Sequence, residues 1–292
     1  MFASTQKVYF MLIFKDQKSL TEHLNPFHLK HFKIGFVPTM GALHAGHLSL
    51  IKKAAEANDL VVVSIFVNPT QFNNLEDLQK YPKTPEKDID LIFSFNQNAI
   101  VYLPETDDIY GQNIFSETFN FEGLELQMEG KFRPGHFDGV GTVVRKLFEI
   151  VKPHKAYFGE KDFQQLQIIK KLTHLKKLPV HIVPCPILRE ENGLAMSSRN
   201  ERLQPEIRNE AAVIFETLSK VKENFNTSSL DTLKKMADDT FEQHPKFSLE
   251  YFEIAEEKTL ITAHEKQTNK NYRAFIAVFA DNVRLIDTIS LK

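Results

Sequence analysis

The sequence predicts an α/β protein: a Rossmann-like, mostly parallel sheet with helices on both faces, plus a smaller C-terminal α+β domain. Two observations carry this prediction. Short runs that are apolar on both faces, such as Ile34-Gly35-Phe36-Val37 and Leu60 to Val67, alternate with segments of helical periodicity, as strands buried inside a parallel sheet require. After about Leu188 the alternation stops, and helical segments precede three strand-like stretches in succession.

Taken in order, the apolar stretch Val8 to Phe14 reads as a first strand. It is too short to span a bilayer, and the polar residues after it are no cleavage site, so no membrane partner is expected. Met11 would serve as a natural start, which makes the first ten residues dispensable. Ile34 to Val37 is the next strand. Leu48, Ile51, Ala54 and Ala55 recur at helical spacing, and Leu60 to Val67 returns to the sheet. Thr84 and Pro85 form a helix start, cap then first turn, for a helix reaching about Asn96. Ala99 to Leu103 is a short strand closed by Pro104. Val140, Val143, Val144, Leu147, Phe148 and Val151 define a helix over Asp138 to Val151. Lys155 to Gly159 is a strand, Phe163 to Leu175 an amphipathic helix, and Val180 to Val183 a closing strand. Beyond a loop through Asn200, helices are predicted from Pro205 to Phe225 and Ser229 to Gln243, then strands over Phe247 to Ile254, Arg273 to Phe279 and Val283 to Ser290. The chain is accordingly divided into 1–187, a Rossmann-like binding domain, and 188–292, a small α+β lid.

Composition excludes more than it identifies. The 292 residues, 42% hydrophobic and 25% charged, are ordinary for a globular enzyme. A net charge of −2 with no basic stripe argues against a nucleic-acid partner, whose backbone demands a surplus of Lys and Arg. The single cysteine, Cys185, rules out an internal disulfide framework and suits a reducing cytoplasm.

The most informative segment is Pro38 to His47, where His44 and His47 straddle Gly46 just as strand hands over to helix. Both imidazoles then face one way. A helix start already favours anions through its free N–H groups and dipole, and two imidazoles add directional donors for phosphate oxygens. A metal pair would want further Cys or His ligands, and neither C-x-x-C nor H-E-x-x-H occurs; no metal site is assigned. Two ordinary surface histidines are the other reading. Neither common phosphate loop is present, so nucleotide binding would run through the histidines. Three further clusters follow strand ends. Asn68-Pro69-Thr70-Gln71-Phe72 offers uncharged amides, or simply a turn. Phe158 to Gln165 brings Lys161 within reach of phosphates, or is a capped helix with solvated charges. Leu194 to Asn200 joins hydroxyls to Arg199, suited to polyphosphate oxygens, or is a linker.

Together Pro38 to His47, Ser64 to Phe72, Arg133-Pro134-Gly135-His136-Phe137, Phe158 to Gln165 and Met196 to Asn200 resemble the motifs of the pantothenate synthetase (pantoate–β-alanine ligase) family of HIGH-type nucleotidyltransferases, from about Met11 to the C-terminus. The resemblance implies ATP-dependent joining of pantoate to β-alanine through a pantoyl adenylate, with release of AMP and pyrophosphate, Mg²⁺, and a homodimer. It also implies that Met40, Gly41, Ala42, Leu43, His44, Ala45, Gly46 and His47 line the ATP site. His47 would be the proton donor and His44 its partner. Gly159, Glu160, Lys161 and Asp162, with Met196, Ser197, Ser198 and Arg199, would close over the nucleotide, and the backbone near Leu188 would meet adenine. Gln71 would contact pantoate and β-alanine, and Gln165 pantoate. Asp88 is a candidate carboxylate for Mg²⁺. Ala45 stands where an acidic residue is usual and Leu188 where valine is usual. Another HIGH-type adenylyltransferase and a non-catalytic nucleotide-binding relative are the alternatives.

Overall fold

The computed structural model describes residues 12–292; the part of the first predicted strand before Leu12, and the residues ahead of it, lie outside the described residues. Strand β1 (Leu12–Phe14) is followed by helix α1 (Gln17–Leu29), whose start Asp16 caps by accepting from the Ser19 N–H at 2.8 Å. Then come β2 (Ile34–Thr39), α2 (Ala45–Ala57), β3 (Leu60–Ile65), a 3₁₀ turn at Pro69–Gln71, α3 (Leu75–Lys80), α4 (Pro85–Phe95), β4 (Ile100–Tyr102) and α5 (Thr106–Tyr110). An irregular stretch leads to α6 (Met128–Phe132), α7 (His136–Val151), β5 (Lys155–Gly159), α8 (Phe163–Leu175) and β6 (His181–Cys185). The remainder is α9 (Pro205–Glu210), α10 (Ala212–Asn224), α11 (Leu230–Glu242), β7 (Phe247–Glu256), β8 (Tyr272–Ala280) and β9 (Val283–Ser290).

The first six strands form one parallel sheet in the order β1-β4-β3-β2-β5-β6, and the last three form an antiparallel sheet β7-β8-β9. The side-chain period of two sorts the parallel strands between two cores. Val61, Val63 and Ile65 join Val37, Ile51, Ala54 and Ile92 on the α2/α4 face, whereas Val62 joins Phe36, Ile100 and the apolar stripe of α7 on the other. Each large side chain so buried contributes roughly 1.5–3 kcal/mol. From β2 the chain moves outward through β3 to β4, then returns to lay β5 against the other side of β2. That reversal opens a crevice at the C-terminal ends of β2 and β5, the place where open α/β sheets bind ligands.

A third cluster, including Leu194, Ile214, Leu218, Phe241 and Ile276, packs α10 and α11 on the small sheet. The long helix predicted from Pro205 to Phe225 is broken here. At Ala211 the ladder tightens, Ile214 donating to the Ala211 carbonyl at 3.1 Å, and α9 and α10 are separate helices. The step leaves Arg208 on two carboxylates, Glu190 at 2.9 Å and Glu201 at 3.0 Å. The small sheet is joined to the large one by arginines: Arg284 of β9 reaches Glu129 of α6 at 2.7 and 2.8 Å, and Arg273 of β8 reaches Glu160 at 3.3 Å. Among the described residues, no helix is long and apolar enough to cross a membrane.

Candidate active site

The crevice begins where β2 ends. Thr39 Oγ1 donates to the Ser64 carbonyl at 2.7 Å and fixes the exit of β2 against β3. The chain then turns through Ala42, held at a φ of +50°, a conformation disfavoured for a residue with a Cβ. Asp88 of α4 holds it there, its two carboxylate oxygens accepting from the Ala42 N–H at 2.8 Å and the Leu43 N–H at 2.7 Å. Thr84 therefore does not cap α4 by the predicted bond; its hydroxyl donates to Asp88 instead, at 3.3 Å. Asp88 is 1% exposed with both oxygens occupied, which removes it as a candidate Mg²⁺ ligand. Its work is to brace the loop. Asp88→Asn would point an amide donor at a backbone donor, and is expected to cost about 1–3 kcal/mol in urea unfolding; an unchanged midpoint would mean that the loop holds itself.

His44 is the N-cap of α2, and its Nδ1 accepts from the Gly46 N–H at 3.1 Å. A Cβ at Gly46 would lie 2.8 Å from the His44 ring, so the glycine lets the imidazole fold back on the helix. His47 Nδ1 accepts from the His44 N–H at 3.4 Å. The rings pack with centroids 4.1 Å apart. Because both Nδ1 atoms accept from backbone, both rings are the Nε2–H tautomer, and both side chains line the crevice. Burial, reinforced by Lys161, pushes His44 down to about 4, and burial with the neighbouring His44 pushes His47 to about 3. Burial thus favours His47 as a neutral hydrogen-bond donor at pH 7. His136 is likewise pushed down to about 4 by burial and by Arg133.

These three rings bind protons in the unfolded chain at pH values where the folded chain does not. Their stabilisation is complete above about pH 6.5, the ordinary histidine value, and is lost as pH falls from there toward 4 for His44 and His136 and toward 3 for His47. Each contributes a slope approaching 1.4 kcal/mol per pH unit, as an order of magnitude. Urea midpoints at pH 7.5, 6 and 5 should fall in turn; a flat series would mean that the folded rings take up protons freely.

The crevice is a cleft of about 190 Å³, and Met40, His44, Gly46, His47, Gly159, Lys161, Asp162, Gln165, Leu188, Met196, Ser197, Ser198 and Arg199 are all in its wall. Tyr81 and Tyr157 line it too, and neither was singled out from the sequence. A narrower pocket lined by Glu129, Arg133, His136 and Tyr251 opens on the same Lys161, Asp162 and Gln165. Several residues of the sequence motifs lie outside these walls. Gly41, Ala42 and Leu43 of the loop before α2, and Ala45 at the first position of the helix, are not part of the crevice lining. Glu160 turns away to Arg273. The Leu188 carbonyl is taken by the Met196 N–H at 3.0 Å, leaving the loop through Arg199 folded back over the cleft. Gln71 is 8% exposed and rests its Nε2 on Met40 Sδ at 2.9 Å. Among the described residues Lys161 pairs with Asp162, at 3.7 Å, and Arg199 bonds Asp77 of α3 at 3.1 Å.

Sequence reasoning attached no role to Arg133, His136 or Tyr110. All three converge on the Asn68 to Gln71 turn. His136 Nδ1–H and Arg133 both donate to the Gln71 carbonyl, at 2.8 and 3.3 Å. Gly139 lets α7 close on that turn, since a Cβ there would lie 2.4 Å from the Thr70 carbonyl oxygen. The quoted Arg133 to Phe137 motif held the signal for the first two, a cation and an imidazole flanking Pro-Gly at a helix start.

A family model described as pantoate-beta-alanine ligase matches residues 12–290. The chain is 57% identical over 282 residues to the pantothenate synthetase of Flavobacterium psychrophilum, covering 97% of this chain and all of that protein, and 51% identical over the same span to that of Christiangramia forsetii. Its fold is similar to the crystal structure of pantothenate synthetase from Thermus thermophilus, with a TM-score of 0.88 at 34% identity over 96% of this chain and 99% of that one. It is also similar to the pantoate-beta-alanine ligase of Francisella tularensis complexed with beta-gamma ATP and beta-alanine, with a TM-score of 0.76 at 38% identity over 97% and 98%. The chain, with its parallel sheet, histidine-capped crevice and small C-terminal sheet, belongs to the pantoate–β-alanine ligase family.

Proposed function

We propose that the protein joins pantoate to β-alanine at the expense of ATP, making pantothenate through a pantoyl adenylate. In the first step a pantoate carboxylate oxygen bonds to the α-phosphorus and the bond to pyrophosphate breaks. In the second the amine of β-alanine attacks the acyl carbon, AMP leaves with the bonding pair, and the amine gives up its proton. The observation that carries this reading is the convergence of four phosphate-directed donors on one cleft: the Nε2–H groups of His44 and His47, the ammonium of Lys161 and the guanidinium of Arg199. Negative charge grows on the phosphoryl and pyrophosphate oxygens in the first step, so fixed donors there stabilise the transition state more than the ground state. Neutral imidazoles do this without needing a proton from solvent. The second step is served by holding two reactants together, and Gln165, which borders both cavities, is where pantoate would be held.

Among the described residues no group of three or more His, Cys, Asp or Glu forms a metal cage. That donor set fits a hard cation carried on phosphates and water with one carboxylate, for which Asp162, half-exposed on the cleft, is the residue in place. Mg²⁺ so bound would offset charge on the phosphates. Residues 188–292 act as the lid, bringing Met196 to Arg199 over the nucleotide. Self-association into a homodimer is supported by Ile114 and Phe115, 56% and 63% exposed on the irregular stretch before α6. The lone buried Cys185 agrees with a cytoplasmic setting.

The test is product identification with ATP, Mg²⁺, D-pantoate and β-alanine, each acid omitted in turn. Pantoate-dependent AMP and pyrophosphate, with pantothenate formed only when β-alanine is added, is the expected result. Intact ATP in every mixture, from folded protein that binds nucleotide, would overturn the reading in favour of a nucleotide-binding relative.

A further inference from the structure

The side-chain amide of Gln71 has its polarity imposed on it. The chain of cause starts at Asn68, 1% exposed at the end of β3. The Asn68 amide lies between two backbone groups that cannot change role: Thr70 N–H, 3.4 Å from Oδ1, and the Gly139 carbonyl, 3.2 Å from Nδ2. Turning the amide over would set donor against donor and acceptor against acceptor, so the backbone favours one orientation. The second hydrogen on Nδ2 then points at the Gln71 amide, 3.2 Å away, and the atom it meets must be the oxygen Oε1. Gln71 is left presenting its NH₂ group on the Met40 side, where a thioether sulfur, a weak acceptor, receives it.

The bond from Thr70 N–H is long, and the arrangement leans on a shorter one. Tyr110, at the end of α5, donates its hydroxyl to Asn68 Oδ1 at 2.6 Å and lies 3.0 Å from Thr70 Oγ1, whose own hydroxyl reaches Oδ1 at a longer 3.1 Å. The Gln71 backbone is pinned separately by His136 and Arg133, so the Tyr110 and Asn68 pair governs the side chain and little else.

We propose that Tyr110 is a positioning residue for pantoate: through Asn68 it holds Gln71 as an N–H donor, so that the site selects an acid presenting an oxygen acceptor at that point. This deepens, and rests on, the reading that Gln71 contacts pantoate. Such a residue acts on substrate affinity at Gln71 rather than on the chemistry at the phosphates.

The test is steady-state kinetics of pantoate-dependent pyrophosphate release for wild type, Tyr110→Phe, Gln71→Ala and the double variant. Tyr110→Phe keeps the ring and loses the donor, and is expected to raise KM for pantoate about 5- to 10-fold, the scale of one buried hydrogen bond. KM for ATP, and kcat, should stay within about twofold. In the Gln71→Ala background Tyr110→Phe should have no further effect, because nothing remains to orient. Asn68→Asp, which accepts from Tyr110 but offers Gln71 no N–H, should shift KM for pantoate the same way, and it carries the test if Tyr110→Phe folds poorly. An unchanged KM for pantoate in both variants, or an effect of Tyr110→Phe that simply adds to that of Gln71→Ala, overturns the proposal while the wild type still makes pantothenate. A wild type that releases no pyrophosphate with pantoate overturns the functional reading instead.

Discussion

Replacing His47 with alanine is expected to lower pantoate-dependent pyrophosphate release by about 10²–10³-fold, the loss that follows when one pre-organised donor is removed from a charged transition state. The residue has two jobs in the structure. Its Nδ1 accepts from the His44 N–H at the start of α2, while Nε2–H is left for the cleft. Alanine removes both, so a drop in melting temperature would accompany the loss of rate. Asparagine separates them, since its Oδ1 can take the place of Nδ1 but nothing reaches where Nε2 stood. His47→Asn should therefore melt near the wild type and still lose about as much rate as His47→Ala. Recovery of most of the rate in His47→Asn would assign the histidine to helix capping alone. The rate of wild type should also lack an ionisation near pH 6.5, because burial holds both rings neutral well below that.

Lys161 should give the second large effect. Its ammonium borders both cavities, and Asp162, which pairs with it, sits at a loose 3.7 Å, with little energy tied up in the pair. Removing the charge therefore sacrifices almost nothing in the free protein and a great deal at the phosphates. Lys161→Met keeps the aliphatic stem and is expected to cut kcat by about 10²–10³-fold with unchanged thermal stability. Lys161→Arg keeps charge without the compact geometry, and should fall between the two. A kcat for Lys161→Met within a few-fold of wild type would remove the lysine from the first chemical step.

Much of this was legible in the sequence because it is local. The runs Ile34 to Val37 and Leu60 to Ile65 are apolar throughout, as strands covered on both faces must be, and the histidines mark where one of them ends. What stayed hidden depends on residues far apart in the chain. Asp88 looks like an ordinary acid in the first turn of a helix. Its partners, the amides of Ala42 and Leu43, lie 46 and 45 positions earlier. Tyr110 and Asn68 are separated by 42. The break at Ala211 occurs among good helix formers, where no Gly or Pro marks it, and the ion pairs that Arg208 makes beside it come from the loop before α9. Propensity could not have found it.

The order of the parallel sheet also decides how copies of this chain can meet. At one border of the sheet β6 carries Pro184, which has no N–H to offer and whose carbonyl is already engaged by Lys53 Nζ at 2.8 Å. A rim so depleted on the β6 side gives a neighbouring strand little to zip onto there. Assemblies of this protein are thereby steered away from extending the large sheet past β6.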